Sequence, residues 1–141
     1  MFVLDTDHLS LMEWPESIES QKIQGRLRYI PEERTAVAII SFEEQMRGWL
    51  AEISRVRTLD LKVQAYSRLC RQLRNYLKVT ILDFDHRAAA RFEDLRRTHR
   101  RIGAMDLIIA AIVITNDATL LTRNRRDFGQ IPGLSTEDWT V

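Results

Sequence analysis

The apolar run Phe2-Val3-Leu4 leads straight into Asp5, and Asp7 follows two residues later. Carboxylates at the end of a buried strand can cap a helix, bind a metal ion or attack a phosphate, so this pair alone leaves three chemistries open. Further acids fall at comparable places. Glu43 and Glu44 stand behind a second apolar run, Asp106 opens an apolar helix, and Asp127 follows a fourth run within TRNRRDF. Brought together, such groups repel one another unless a cation lies between them or one stays protonated. Oxygen donors without clustered Cys or His suit Mg²⁺ or Mn²⁺ rather than Zn²⁺. Ions of that kind activate water and stabilise the charge that develops in phosphodiester cleavage.

Each acid also has a structural role open to it. Asp7 can cap a helix that starts at His8. Ser41 and Glu44 match a capping box in SFEE, and Glu43 then points away to solvent. Thr122 can simply end a strand, Asn124 can be a turn residue and Asp127 a loop residue. Asp106 is hardest to explain this way, because an unpaired charge beside an apolar helix is costly and the residue already sits at or inside the first turn. His8, His86 and His99 read as surface or partly packed side chains, and Cys70 as part of a leucine face.

The elements that must carry these residues alternate in type. Strands are expected at Phe2–Asp5, Thr35–Ile40, Val79–Phe84 and Ala118–Thr122, with a short fifth near Leu134–Ser135. Helices are expected from His8 to Trp14, through Glu16–Ile30, from Ser41 to Arg55, from Leu59 to Leu77, from Asp85 to about Arg100, and over Ala104–Thr115. That alternation implies an α/β domain with a mainly parallel sheet. In such sheets, sites gather outside the carboxyl ends of the strands, where Asp5 falls.

The totals set bounds on this reading. A chain of 141 residues, 45% hydrophobic and 29% charged, is expected to form a single domain over 1–141 with an adequate core. Cys70 is the only cysteine, which excludes an internal disulfide and fits a reducing cytoplasm. No apolar run approaches the roughly 20 residues needed to span a bilayer, and the opening residues lack the pattern of a signal peptide. The expected location is therefore cytoplasmic. Net charge is only +1, yet Gln45–Ala104 holds fourteen Lys and Arg against six Asp and Glu. Acidic ends thus bracket a basic, arginine-rich middle, and Arg matches phosphate oxygens in a fork.

Taken in order, DTD, SFEEQMRG, GAMDLIIAA and TRNRRDFGQIPGL resemble the PIN-domain ribonucleases, specifically the VapC-type toxins of toxin–antitoxin pairs, over nearly the whole chain. The resemblance implies a three-layer α/β/α domain, Mg²⁺-dependent endonucleolytic cleavage of RNA, a small antitoxin partner and a homodimer. Mn²⁺ is an alternative ion. It makes Asp5 and Asp106 metal ligands, with Glu44 and Asp127 completing the catalytic acids and Thr122 and Asn124 supporting them. Arg123, Arg125 and Arg126 then face RNA beside the site, with Arg96, Arg97, Arg100 and Arg101 as an outer track. Asp7 stands where relatives often carry Asn, so the resemblance gives it no catalytic role. Two rivals stay open. FVLDTDHL also resembles the opening of haloacid-dehalogenase-type phosphatases, with Asp5 as nucleophile, although Leu9 stands where Thr or Val is normal. The other is a non-catalytic PIN-like module that holds RNA or a partner.

Overall fold

In the computed structural model, which describes all residues from Met1 to Val141, five short strands form one sheet. They are β1 (Phe2–Leu4), β2 (Thr35–Ala38), β3 (Thr80–Leu82), β4 (Thr119–Leu121) and β5 (Ser135–Glu137). All neighbours are parallel, in the order β3-β2-β1-β4-β5. The connections are α1 (Thr6–Met12) and α2 (Ile18–Leu27) after β1, α3 (Ile39–Arg55) and α4 (Leu59–Tyr76) after β2, α5 (His86–Thr98) and α6 (Ala104–Thr115) after β3, and α7 (Arg125–Phe128) after β4. A 3₁₀ turn over Glu32–Arg34 precedes β2. The chain leaves β1 towards β2 and β3, then returns to the other side of β1 for β4 and β5. The strand order therefore reverses between β1 and β4, which is where a crevice opens at the carboxyl ends of a doubly wound sheet.

Side chains alternate across the sheet as strand geometry demands. Val3, Ala36, Ala38 and Leu120 face a core completed by Ala88 and Leu95 of α5, the apolar residues of α6 and Phe128 of α7. Leu4, Val37 and Leu121 face the opposite core with Ile23, Trp49, Tyr76 and Trp139. Two cores on two faces make three layers. Helix α6 is buried from Leu107 to Val113 apart from a partly exposed Ile108, as an all-round apolar helix must be. No helix is long and apolar enough to cross a membrane.

Several expectations are corrected. Strand β2 stops at Ala38, and Ile39 and Ile40 already belong to α3, whose N-cap, Ala38, makes no side-chain cap bond. Ser41 is thus inside the helix and forms no capping box with Glu44. Helix α1 starts at Thr6 and is capped by Asp5 rather than Asp7. His8 is fully buried, not at the surface. Cys70 is exposed, because the buried stripe of α4 runs through Ala65, Gln72 and Tyr76. A row of leucines stepped every four residues drifts by about 40° per step on a 3.6-residue helix. Leu61, Leu73 and Leu77 consequently turn out of the core.

The stripe can be tested by unfolding in urea. Leu120→Ala, at a fully buried position, should lower the unfolding free energy by about 2–5 kcal/mol. Leu61→Ala, where the side chain is 45% exposed, should change it by no more than about 0.5 kcal/mol. Equal losses at the two positions would contradict this placement of α4.

Candidate active site

Strands β1 and β4 run side by side with Leu4 opposite Leu121, so Asp5 and Thr122 emerge as neighbours at the point where the strand order reverses. The Asp5 N–H donates to the Leu121 carbonyl at 2.9 Å. Its carboxylate accepts from the Thr6 N–H at 2.8 Å and from the Thr122 hydroxyl at 2.7 Å, so both oxygens are engaged. Only 6% of Asp5 is exposed. Burial first, then the Asp7 charge and more weakly the Asp106 charge, push its carboxyl up to about 6, against the opposing hydrogen bonds from Thr122 and Thr6.

Glu44 reaches the crevice from the second turn of α3. The Thr6 hydroxyl is shared between Ser41 Oγ at 3.1 Å and Glu44 Oε1 at 3.2 Å. Burial raises Glu44 above the ordinary carboxylate range, Asp106 and Glu43 adding to the effect while Thr6 and Arg47 oppose it. Asp106 lies in the first turn of α6, whose N-cap is Gly103. Burial raises Asp106 too, followed by the charges of Asp127 and Asp7. Asp127 sits in the first turn of α7, where Asn124 is the N-cap; the Asn124 amide donates to Asp127 Oδ2 at 3.3 Å and its carbonyl accepts from the Asp127 N–H at 3.4 Å.

The fold therefore brings Asp5, Asp7, Glu44 and Asp127 each within electrostatic reach of Asp106, and Asp7 within reach of Asp5. Thr122 and Asn124 support them as hydrogen-bond partners, and Arg123, Arg125 and Arg126 are exposed beside them. None of Asp5, Glu44, Asp106 or Asp127 forms an ion pair with Lys or Arg. The donor set fits a hard divalent cation, since it is all oxygen and carries excess negative charge that burial makes costly. No three His, Cys, Asp or Glu side chains converge tightly enough to encircle an ion on their own. Thr6 and the hydrogen bonds of Asp7 to His8 and Arg123 were not singled out from the sequence. Apart from His8, their partners lie in other parts of the chain, and no local spacing marks them.

A parallel sheet with an uncompensated acid cluster at its reversal point defines an acidic-crevice α/β domain. A sequence model of the PIN domain matches residues 15–134, and the chain belongs to the PIN domain family. It is 33% identical over 67 residues to the tRNA(fMet)-specific endonuclease VapC of Shigella flexneri, covering 45% of this chain and 51% of that one. It is 35% identical over 66 residues to ribonuclease VapC2 of Rickettsia felis, covering 44% and 49%. In these alignments the chain spans about half the length of the curated relatives it matches. Among solved structures, the fold is similar to DNA-bound VapBC from Salmonella typhimurium, with a TM-score of 0.76 at 24% identity over 98% of this chain and 97% of that one. It is also similar to VapBC2 from Rickettsia felis bound to a promoter DNA fragment, with a TM-score of 0.74 at 25% identity over 98% of both chains.

The raised carboxyls dictate a pH dependence. Folded Asp5 takes up its proton near 6, whereas the unfolded group does so near 3.8. Without divalent cations, stability should therefore rise as the pH falls from about 8 to about 5, with Glu44 and Asp106 acting in the same direction. Asp5→Asn should melt higher than the wild type at about pH 8, by a margin that shrinks below pH 6. Mg²⁺ should raise the wild-type melting temperature but not that of Asp5→Asn. Melting curves with equal pH and Mg²⁺ responses in both proteins would contradict the assignment.

Proposed function

We propose that this chain, as a single domain over residues 1–141, is a divalent-cation-dependent endoribonuclease and the toxin of a VapBC-type pair. The observation that carries this reading is the acid cluster itself: Asp5, Glu44, Asp106 and Asp127 at the reversal of strand order, without an ion-pair partner among Lys and Arg. Membership of the PIN family and likeness to named VapC ribonucleases support the same chemistry.

Asp5 and Asp106 would hold Mg²⁺, or Mn²⁺ in its place. When bound, the ion would polarise the scissile phosphate and make bound water more acidic. The rest falls to the chain. Thr122 fixes the Asp5 carboxylate by its 2.7 Å hydrogen bond, so the ligand is oriented before substrate arrives. Glu44 keeps Oε2 free while Thr6 holds Oε1, and its raised carboxyl suits it to take a proton from the attacking water. Asp127, steadied by Asn124, flanks the same space. Water attacks phosphorus and the bond to the 3′ oxygen breaks, leaving a 5′-phosphate and a 3′-hydroxyl. Arg123, Arg125 and Arg126 draw the backbone towards the crevice, and the exposed Arg96, Arg97, Arg100 and Arg101 extend that track. A recessed carboxylate cluster favours single-stranded or looped RNA, whose backbone can bend into it.

The Salmonella and Rickettsia relatives were solved as VapBC assemblies on DNA. By that likeness this chain pairs with a VapB-like antitoxin, and it is further proposed to form a homodimer acting in the cytoplasm.

An RNA-cleavage assay with Mg²⁺ tests the proposal. Wild type should cleave single-stranded RNA, and Asp5→Ala and Asp106→Ala should each lose roughly a hundredfold or more in rate while remaining folded by circular dichroism. Unchanged cleavage in either variant would remove the metal assignment. Rapid turnover of a phosphomonoester without RNA cleavage would replace the nuclease with a phosphatase.

A further inference from the structure

His8 is fully buried directly behind Asp7, and the chemistry above makes no use of it. Its two ring nitrogens have different partners. The backbone N–H of Trp139 lies 3.2 Å from Nε2, and Asp7 Oδ1 lies 2.7 Å from Nδ1. A backbone N–H can only donate, so Nε2 must present its lone pair and the ring proton must sit on Nδ1, facing Asp7. Asp138 Oδ1 stands 3.9 Å from Nε2, beyond hydrogen-bond range, and accepts instead from the N–H and hydroxyl of Thr140.

Asp7 passes this constraint on. Its Oδ2 accepts from the Arg123 N–H at 2.9 Å and lies 3.3 Å from the Thr122 hydroxyl, the same group that holds Asp5. Hydrogen bonds thus run from the Trp139 backbone through His8 and Asp7 to the Arg123 N–H, next in the chain to Thr122, whose one hydroxyl proton goes to Asp5 at 2.7 Å. The far end is well seated. The Trp139 ring is buried with its centroid 5.0 Å from that of Phe2, the Arg26 guanidinium lies 5.7 Å from it, and Nε1 donates to Glu137 at 2.7 Å.

We infer that His8 is a positioning residue, a role that rests on the nuclease reading for its effect on catalysis. With its proton fixed on Nδ1 by the Trp139 amide, it holds Asp7, and Asp7 in turn holds the Thr122–Arg123 turn against Asp5. The segment after β5 thereby sets the shape of the crevice without contributing a side chain to the acid cluster.

Two amides separate this role from plain packing. His8→Asn puts an N–H donor near the Nδ1 position and keeps the bond to Asp7. His8→Gln puts an oxygen near the Nε2 position and keeps only the bond to Trp139. The expected result for RNA cleavage is a kcat for His8→Asn within about threefold of wild type, against a loss of roughly tenfold or more in His8→Gln with KM unchanged. In an Asp7→Asn background, His8→Gln should have no further effect. Long-range ¹⁵N–¹H NMR of the wild type should show the proton on Nδ1 and a bare Nε2, and the Arg123 amide should exchange faster in His8→Gln than in His8→Asn. A proton on Nε2, a wild-type kcat in His8→Gln, or equal losses in both variants that follow their melting temperatures would overturn the inference. If the wild type cleaves no RNA, the nuclease reading falls, and the tautomer and the Arg123 exchange alone decide the positioning role.

Discussion

Asp5 loses nearly all of its hydration on folding and gains Asp7 and Asp106 as neighbours, while Thr122 and Thr6 offer only hydrogen bonds in return. Burial and like charge act together, and the hydrogen bonds do not offset them. Glu44 and Asp106 are raised for the same reason, with burial the larger cause in each. No Lys or Arg pairs with any of the three. The crevice therefore carries an electrostatic demand that a cation or a proton can meet and the protein alone does not. At neutral pH protons are scarce, so a divalent cation is the natural complement.

The remaining structure can be understood as what holds these groups together against their repulsion. Strands of three or four residues are too short to do so by themselves. Pairing β1 between β2 and β4 sets the backbone at Asp5 and Thr122, and alternate side chains anchor each strand in a core on either face. Helix α6, apolar on all sides, is the counterpart for Asp106. Its buried body fixes the direction of its first turn, and the free N–H groups there favour a carboxylate. Apolar burial supplies the stability and the acids spend some of it, as functional sites do.

Residues whose position follows from their own segment were legible before the structure. Asp5 ends an apolar run and Asp106 opens an apolar helix, so strand ends and helix starts pointed at both. Asp127 with Asn124 was equally visible as a polar turn after β4. The misreadings share one cause, which is that a local pattern lost to a distant partner. Ser41 and Glu44 look like a capping box, yet Ile39 and Ile40 are drawn into α3 despite their β propensity, and the Thr6 hydroxyl comes between Ser41 and Glu44. Nothing next to His8 announces its burial, because the amide that fixes it belongs to Trp139 at the far end of the chain. Asp7, read from its position as a cap for the first helix, instead bonds the His8 ring and the Arg123 N–H.

The central claim is that Asp5 and Asp106 share a divalent cation. Anomalous diffraction from crystals of the protein grown with Mn²⁺ tests it most directly. The account predicts an anomalous peak in the crevice, bonded to both carboxylates. A peak elsewhere, with Asp5 and Asp106 both unliganded, would contradict it.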